Sequence, residues 1–186
     1  VPAKVSPLPY SITYIQLNLS TTNLKTANSI SQRGKLAEKA NRKLINQLKQ
    51  NTPKNLDALV HEAHESVFSK TDCLQCANCC KTTSPIFYQK DIERLAKRFR
   101  IRPVNFISTY LTLDTDGDYV LKTAPCPFLD ADNSCSVYND RPTACRTYPH
   151  TDRKRFYQLL ELTYQNSFVC PAVQEILSAI RLKTGY

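Results

Sequence analysis

Apolar positions recur every three or four residues over most of the chain, a spacing that predicts helices rather than strands. From Gln32 to Gln50, Leu36, Ala37, Ala40, Leu44, Ile45 and Leu48 form one stripe with Lys and Arg between them, an amphipathic helix. Thr52-Pro53 then reads as an N-cap followed by a first-turn proline, and Leu56, Leu59, Val60, Ala63 and Val67 continue the stripe. Residues 31–70 are therefore expected to form a helical hairpin. Tyr88 to Arg100 carries Ile92, Leu95, Ala96 and Phe99 on one face, with Asp91 and Glu93 near its positive end. Pro103 opens another helix with Phe106, Ile107, Tyr110 and Leu111, and Pro171 opens the last, with Val173, Ile176, Leu177 and Ile180. Between 152 and 168 the helical reading through Phe156, Leu159, Leu160 and Thr163 is preferred to a strand through Leu160, Leu162 and Tyr164.

Elsewhere the pattern changes. Leu111-Thr112-Leu113 and Tyr119-Val120-Leu121 flank Asp114-Thr115-Asp116-Gly117-Asp118, a strong turn signal, so a β-hairpin is expected there. The acidic residues imitate the start of a calcium loop, but the later glycine and bidentate glutamate are missing. Asp130 to Ser134 predicts a further turn, and Asn139-Asp140-Arg141-Pro142 the start of a short helical turn carrying Cys145 and Arg146. Residues 1–30, rich in Ser, Thr, Asn and Pro, show no sustained period and read as an irregular arm with a short strand at Ile12–Leu17.

At 186 residues the chain is long enough to build an apolar core without covalent staples. Its three glycines, Gly34, Gly117 and Gly185, are far apart, which excludes the clustered glycines of a dinucleotide fingerprint or a P-loop. No stretch approaches the ~18–20 apolar residues of a membrane span, and the first twenty residues lack a continuous apolar leader segment. The chain begins at Val1 and has no Met, so a processed or truncated start stays open. A reducing cytoplasm is the expected location, and there thiols bind metal more often than they pair. The formal charge of +9 favours an anionic partner. Eight thiolates around two divalent ions would take four off that figure, so part of the basicity balances a negative metal site.

The chemistry is concentrated in sulfur. Cys73-Leu74-Gln75-Cys76-Ala77-Asn78-Cys79-Cys80 is a C-x2-C-x2-C-C run, and Cys126, Cys135, Cys145 and Cys170 complete a set of eight. Two cysteines separated by two residues let the backbone turn so that both sulfurs converge on one ion. Neighbouring side chains diverge, so of Cys79 and Cys80 one can serve that ion while the other turns to a second site or to the core. Pro125 and Pro127 stiffen the loop around Cys126, Pro142 begins the turn presenting Cys145, and Cys170 sits at the start of the last helix, where the dipole favours a thiolate. All eight are thus candidate ligands for one or two centres, holding zinc or an iron–sulfur cluster. Disulfides are disfavoured by the adjacent pair and the absent secretory signal, and a thioredoxin-like role by the missing βαβ setting. Position 83, where a bacterial ferredoxin run or a radical-SAM motif would want cysteine, is Thr83. His61 and His64, one helical turn apart, read as exposed or capping residues rather than ligands.

With these residues laid out, the chain resembles the YkgJ-type cysteine-cluster family, described as a zinc- or iron-chelating domain. The run Cys73 to Cys80, Cys126-Pro127-Phe128-Leu129, Cys135-Ser136-Val137-Tyr138, Arg141-Pro142-Thr143-Ala144-Cys145-Arg146-Thr147-Tyr148-Pro149 and Cys170-Pro171 follow the family pattern in order. The resemblance covers residues 71 to about 182 and implies metal chelation. A glycine often found after the second cysteine is Ala77 here, so the backbone is expected to avoid positive φ or to pass that duty to Asn78. Flagellin lysine methylases carry a similar constellation with a cluster, which keeps an enzymatic reading open.

The expected architecture is mainly α with a small β-hairpin: an irregular arm over 1–30, a helical hairpin over 31–70 and an irregular cysteine-rich metal-binding module over 71–186. The expected function is a cytoplasmic metal-binding protein, with a protein partner left open. The alternatives are an Fe–S-dependent enzyme, methyltransferase-like or redox, and a nucleic-acid or ribosome-associated adaptor using Lys97–Arg102 and Arg153–Arg155. Arg141 and Arg146 are candidates to donate to thiolates, against the plainer reading of ion pairs with Asp140 or Asp152.

Overall fold

The computed structural model describes the backbone of residues 24–186 and the side chains of residue 30 and of 32–186. The strand expected at Ile12–Leu17 lies outside the described residues. Helix α1 (Leu24–Gln50) begins eight residues before Gln32, the expected start of the helix, so residues 24–30 of the expected irregular arm are helical. Its end is closed by Thr52, whose Oγ1 donates to the Leu48 carbonyl at 2.7 Å. Thr52 therefore finishes α1 instead of starting the next helix; Lys54 and Asn55 intervene, and α2 (Leu56–Phe68) takes Asn55 as its N-cap residue.

The chain then makes two single turns, α3 (Cys73–Cys76) and α4 (Asn78–Thr82), followed by α5 (Gln89–Phe99) and α6 (Pro103–Tyr110). Strands β1 (Leu111–Leu113) and β2 (Tyr119–Leu121) pair antiparallel, with Leu111 opposite Leu121 and Leu113 opposite Tyr119, which is the expected hairpin. Asp114 Oδ1 accepts from the amides of Asp116 and Asp118, so its carboxylate shapes the turn. A 3₁₀ turn (Tyr138–Asp140) leads into α7 (Thr143–Thr147); a second one (Phe156–Leu159) leads into α8 (Leu160–Asn166), and α9 (Pro171–Thr184) follows. The helical reading of 152–168 thus holds from Phe156 to Asn166, and mainly α with a small hairpin describes the fold.

The apolar residues gather in two cores. The first joins Leu44, Ile45 and Leu48 of α1 to Leu56, Val60 and Ala63 of α2, to Phe156 and Leu160, and to Val173, Ile176, Leu177 and Ile180 of α9. Helix α2 lies chiefly on α9, and α1 on α8 and α9, so the C-terminal helices cover the stripes of the N-terminal ones. At Gly34 the approach is tight: a Cβ there would stand 3.1 Å from Phe168 Cα. The second core packs Phe87, Ile92, Leu95, Phe106, Leu111, Leu121, Phe128 and Val137, with Phe99 stacked on Phe106 and Phe128 at centroid distances of 6.1 and 5.6 Å. Phe99 is therefore spent on packing, and Arg98 beside it is held by Asp140 and the Ser136 carbonyl, which leaves the Lys97–Arg102 run without a free aromatic. Among the described residues no helix is long and apolar enough to cross a membrane.

Candidate metal centre

The cysteine run is hydrogen-bonded to segments that adjoin each of these cores. Asp72 caps α3 by accepting from the Leu74 amide at 2.9 Å. One turn later the Ala77 amide donates to the Cys73 carbonyl at 2.7 Å, and Ala77 adopts φ 44°, ψ 21°. The expectation that this alanine avoids positive φ is corrected. Closing one turn at Cys76 and opening another at Asn78 requires a left-handed residue between them, and buried Ala77 takes that strain itself. Asn78 reaches across the fold instead, its Nδ2 donating to the Val169 carbonyl at 2.7 Å, which ties the run to the residue just before Cys170.

On the other side, the Cys126 amide donates to the Cys80 carbonyl at 2.8 Å. The Asp130–Ser134 turn, as expected, folds the chain back, with a bridge between Leu129 and Cys135 and the Ser136 amide on the Phe128 carbonyl. Cys126 and Cys135 thereby come together against the second core, whereas Cys170 packs against the first.

The loop bearing Cys145 is pinned by residues that periodicity does not single out. Asp91, wholly buried at 0% exposure, accepts from the Thr143 amide (3.1 Å), Thr143 Oγ1 (2.9 Å), Arg94 Nη2 (2.7 Å) and the Tyr88 amide (3.2 Å). Arg94 also donates to the carbonyls of Asp140 and Arg141. Thr143 is the first residue of α7, so this buried carboxylate sets where Cys145 stands. The signal available in the sequence, an acid in the first turn of α5 with an arginine three residues on, looks the same as an ordinary surface pair.

Neither reading of Arg146 survives. It donates to the carbonyls of Arg141 and Asn139, and so clamps backbone. Asp140 pairs instead with Arg98 at 3.1 Å. Arg141 lies over the Tyr138 ring at 3.8 Å, and its charge favours the thiolates of Cys135 and Cys145. His61 is exposed, as expected, and His64 shares a hydrogen bond with Thr151 at 2.8 Å.

All eight cysteines are free thiols, and their electrostatic contacts fall into two groups. Cys170 feels Cys73 and Cys76, and Cys79 feels Cys170. Cys145 feels Cys80, Cys126 and Cys135, while Cys126 and Cys135 each feel Cys80. The neighbours Cys79 and Cys80 stand at the seam, Sγ to Sγ 4.0 Å apart, so Cys79 also feels Cys145 and Cys73 also feels Cys80. The thiol contact with Cys79 brings Cys80 down to about 7, with Lys81 assisting, and the same contact, with burial, raises Cys79 well above the usual thiol value. Burial pushes Cys126 and Cys170 up to about 11 and Cys145 further still.

Against that burial, backbone amides are aimed at sulfur: Phe128 at Cys126, Val137 at Cys135, and Ala172 and Val173 at Cys170. Amides so placed favour thiolate over thiol, as a soft-metal site needs. The donor set therefore suits zinc or iron. Among the described residues no three Cys, His, Asp or Glu side chains meet closely enough to grip an ion as they stand. Gripping one calls for the sulfurs to close in, and thiolate repulsion resists that closure until a cation offsets it.

A family profile described as CxxCxxCC, "putative zinc- or iron-chelating domain", matches residues 72–167, a span that includes seven of the eight cysteines and ends just short of Cys170. No curated protein and no solved structure matches the chain.

Proposed function

The chain belongs to this CxxCxxCC family of zinc- or iron-chelating domains, and from that premise we propose that its eight cysteines form two four-thiolate centres. One takes Cys73, Cys76, Cys79 and Cys170; the other takes Cys80, Cys126, Cys135 and Cys145. The observation that carries this division is the backbone geometry: Asn78 ties the run to Val169, beside Cys170, while the Cys126 amide donates to the Cys80 carbonyl and the Leu129–Cys135 bridge brings Cys135 to the same side. The electrostatic contacts of Cys170 with Cys73 and Cys76, and of Cys145 with Cys80, run the same way. Adjacent side chains diverge, which lets Cys79 and Cys80 serve different ions.

When bound, the metal supplies cross-links between segments that pack on different cores. Cys170 brings in the helical core, and Cys126 with Cys135 the aromatic one. Four thiolates per ion leave no open position, so the role we assign is chelation and structural stapling in a reducing compartment, for which the cytoplasm is our choice.

Anaerobic purification followed by elemental analysis and visible absorption tests this reading. Two zinc ions per chain are expected in colourless protein, or about four or more irons with acid-labile sulfide in coloured protein if the centres are iron–sulfur clusters. A metal-free protein whose eight thiols all react with a thiol reagent under native conditions would refute it.

A further inference from the structure

We propose that the two centres are unequal, the Cys80 centre being permanent and the Cys73 centre exchangeable, with Cys73 the ligand that lets go. The inference rests on the two-centre reading and adds to it which metal ion can be passed on.

Of the eight cysteines, Cys73 alone is exposed; the other seven are half-buried. It stands at the outer edge of α3, a single turn whose residues Leu74 and Gln75 are also exposed, and none of these three belongs to either core. Beyond the Asp72 cap and the Ala77-to-Cys73 bond, among the described residues this turn has one further hydrogen bond, which Lys81 Nζ, from the residue just past the run, donates to the Cys76 carbonyl. A segment so lightly held opens at little cost.

The other centre is built in the opposite way. Cys126 and Cys135 lie against the aromatic core, and Cys145 follows a helix start fixed by the buried Asp91. Arg94 and Arg98 fasten the preceding loop to α5 through Asp140, Arg141 and Ser136. Releasing Cys126 or Cys135 disturbs packing on the aromatic core, and moving Cys145 strains the hydrogen bonds between buried Asp91 and Thr143.

The exchange is a ligand substitution without change of oxidation state. The sulfur of Cys73 would give up its place on the ion to a thiolate of the acceptor and take up, by way of water, the proton that the acceptor thiol gives up. An acceptor presenting soft donors of its own, a cysteine-bearing protein or a small thiol chelator, has the chemistry to do this.

Zinc-loaded protein mixed with the chromogenic chelator 4-(2-pyridylazo)resorcinol provides the test. One zinc per chain should leave about tenfold or more faster than the other, as expected for local rather than global opening. C73S should lose the fast-exchanging zinc while retaining the slow one. If that variant fails to fold, alkylation of the zinc-loaded wild-type protein with N-ethylmaleimide decides the matter: Cys73 should be modified first, in step with the departure of one zinc. Two zinc ions leaving in one phase, or alkylation starting at any other cysteine, would overturn the asymmetry alone. Fewer than two zinc per chain would overturn the two-centre reading, and the asymmetry with it.

Discussion

Asn78 and Val169 lie 91 positions apart in the chain and are joined by a 2.7 Å hydrogen bond from the Asn78 side-chain amide to the Val169 carbonyl. Both residues are buried, so neither polar group has water as an alternative partner. Asn78→Ala would strand that carbonyl at a cost of about 1–3 kcal/mol. The loss should appear as a lower urea midpoint with an unchanged slope. It should be accompanied by weaker metal binding at the centre that includes Cys170 and little change at the other, measured by competition with a zinc chelator.

Asp91 makes the matching prediction for the proposed centre at Cys80. Asp91→Ala removes the acceptor of four hydrogen bonds and leaves Arg94 facing a buried gap. Arg94 keeps 29% of its side chain exposed, so the cost should fall near the low end for a broken buried pair, about 3 kcal/mol. Metal affinity should drop at the centre containing Cys145, and Asp91→Asn should recover part of it by keeping an acceptor for Thr143.

Ala77→Gly should cost nothing or raise stability by up to about 1 kcal/mol, because glycine accepts φ 44° without the Cβ penalty while gaining some freedom in the unfolded chain. Urea titration of the two proteins side by side measures the difference. A clear loss of stability would mean that the buried methyl group contributes more than the backbone conformation costs.

His150 predicts a pH dependence. Burial, with Arg153 nearby, lowers its pKa to about 4, so the folded protein keeps the ring neutral where the unfolded chain, with a pKa of about 6.5, binds a proton. The unfolded state therefore carries more protons between these values, and stability falls as pH drops from about 6.5 to 4, by at most about 3 kcal/mol. Glu161 acts in a lower window. Arg42 and Lys49 hold it at about 2, and the stability it adds is lost as pH falls through the carboxylate range; its side chain is 49% exposed, so that contribution is small. An NMR titration of the His150 ring should give a midpoint near 4. His150→Asn, which tolerates φ 69°, should flatten the upper window.

Metal removal should act on the whole molecule. At free zinc 100-fold above Kd each of the two proposed centres would add about 2.7 kcal/mol, so stripping both should lower Tm by roughly 10–20 °C for a chain of this size. Calorimetry of the loaded protein before and after chelation under reducing conditions checks the shift.

How far these features can be read from the sequence depends on how local their causes are. The stripes of α5, α6 and α9 and the turn at Asp114 to Asp118 are fixed by neighbours within a few residues, and each is legible. Cys126 and Cys135 can be named, but their meeting depends on a bridge between Leu129 and Cys135 that only the folded chain reveals. Thr52 misleads because a hydroxyl after one helix and before the next serves either end, and only the 2.7 Å bond to Leu48 decides which. Asp91 is visible as a helix-start acid, yet its tie to Thr143, 52 residues away, leaves no periodic trace. Ala77 adopts the conformation a glycine would have announced, because the two turns that flank it leave no other.

Gly34 carries no chemistry of its own and lies far upstream of the first sulfur. A methyl group at that position would press on the backbone of Phe168 from 3.1 Å, two residues before Cys170. Variation there would reach the last cysteine through steric pressure alone, so a hydrogen atom in the first helix guards the position of a thiol in a distant part of the chain.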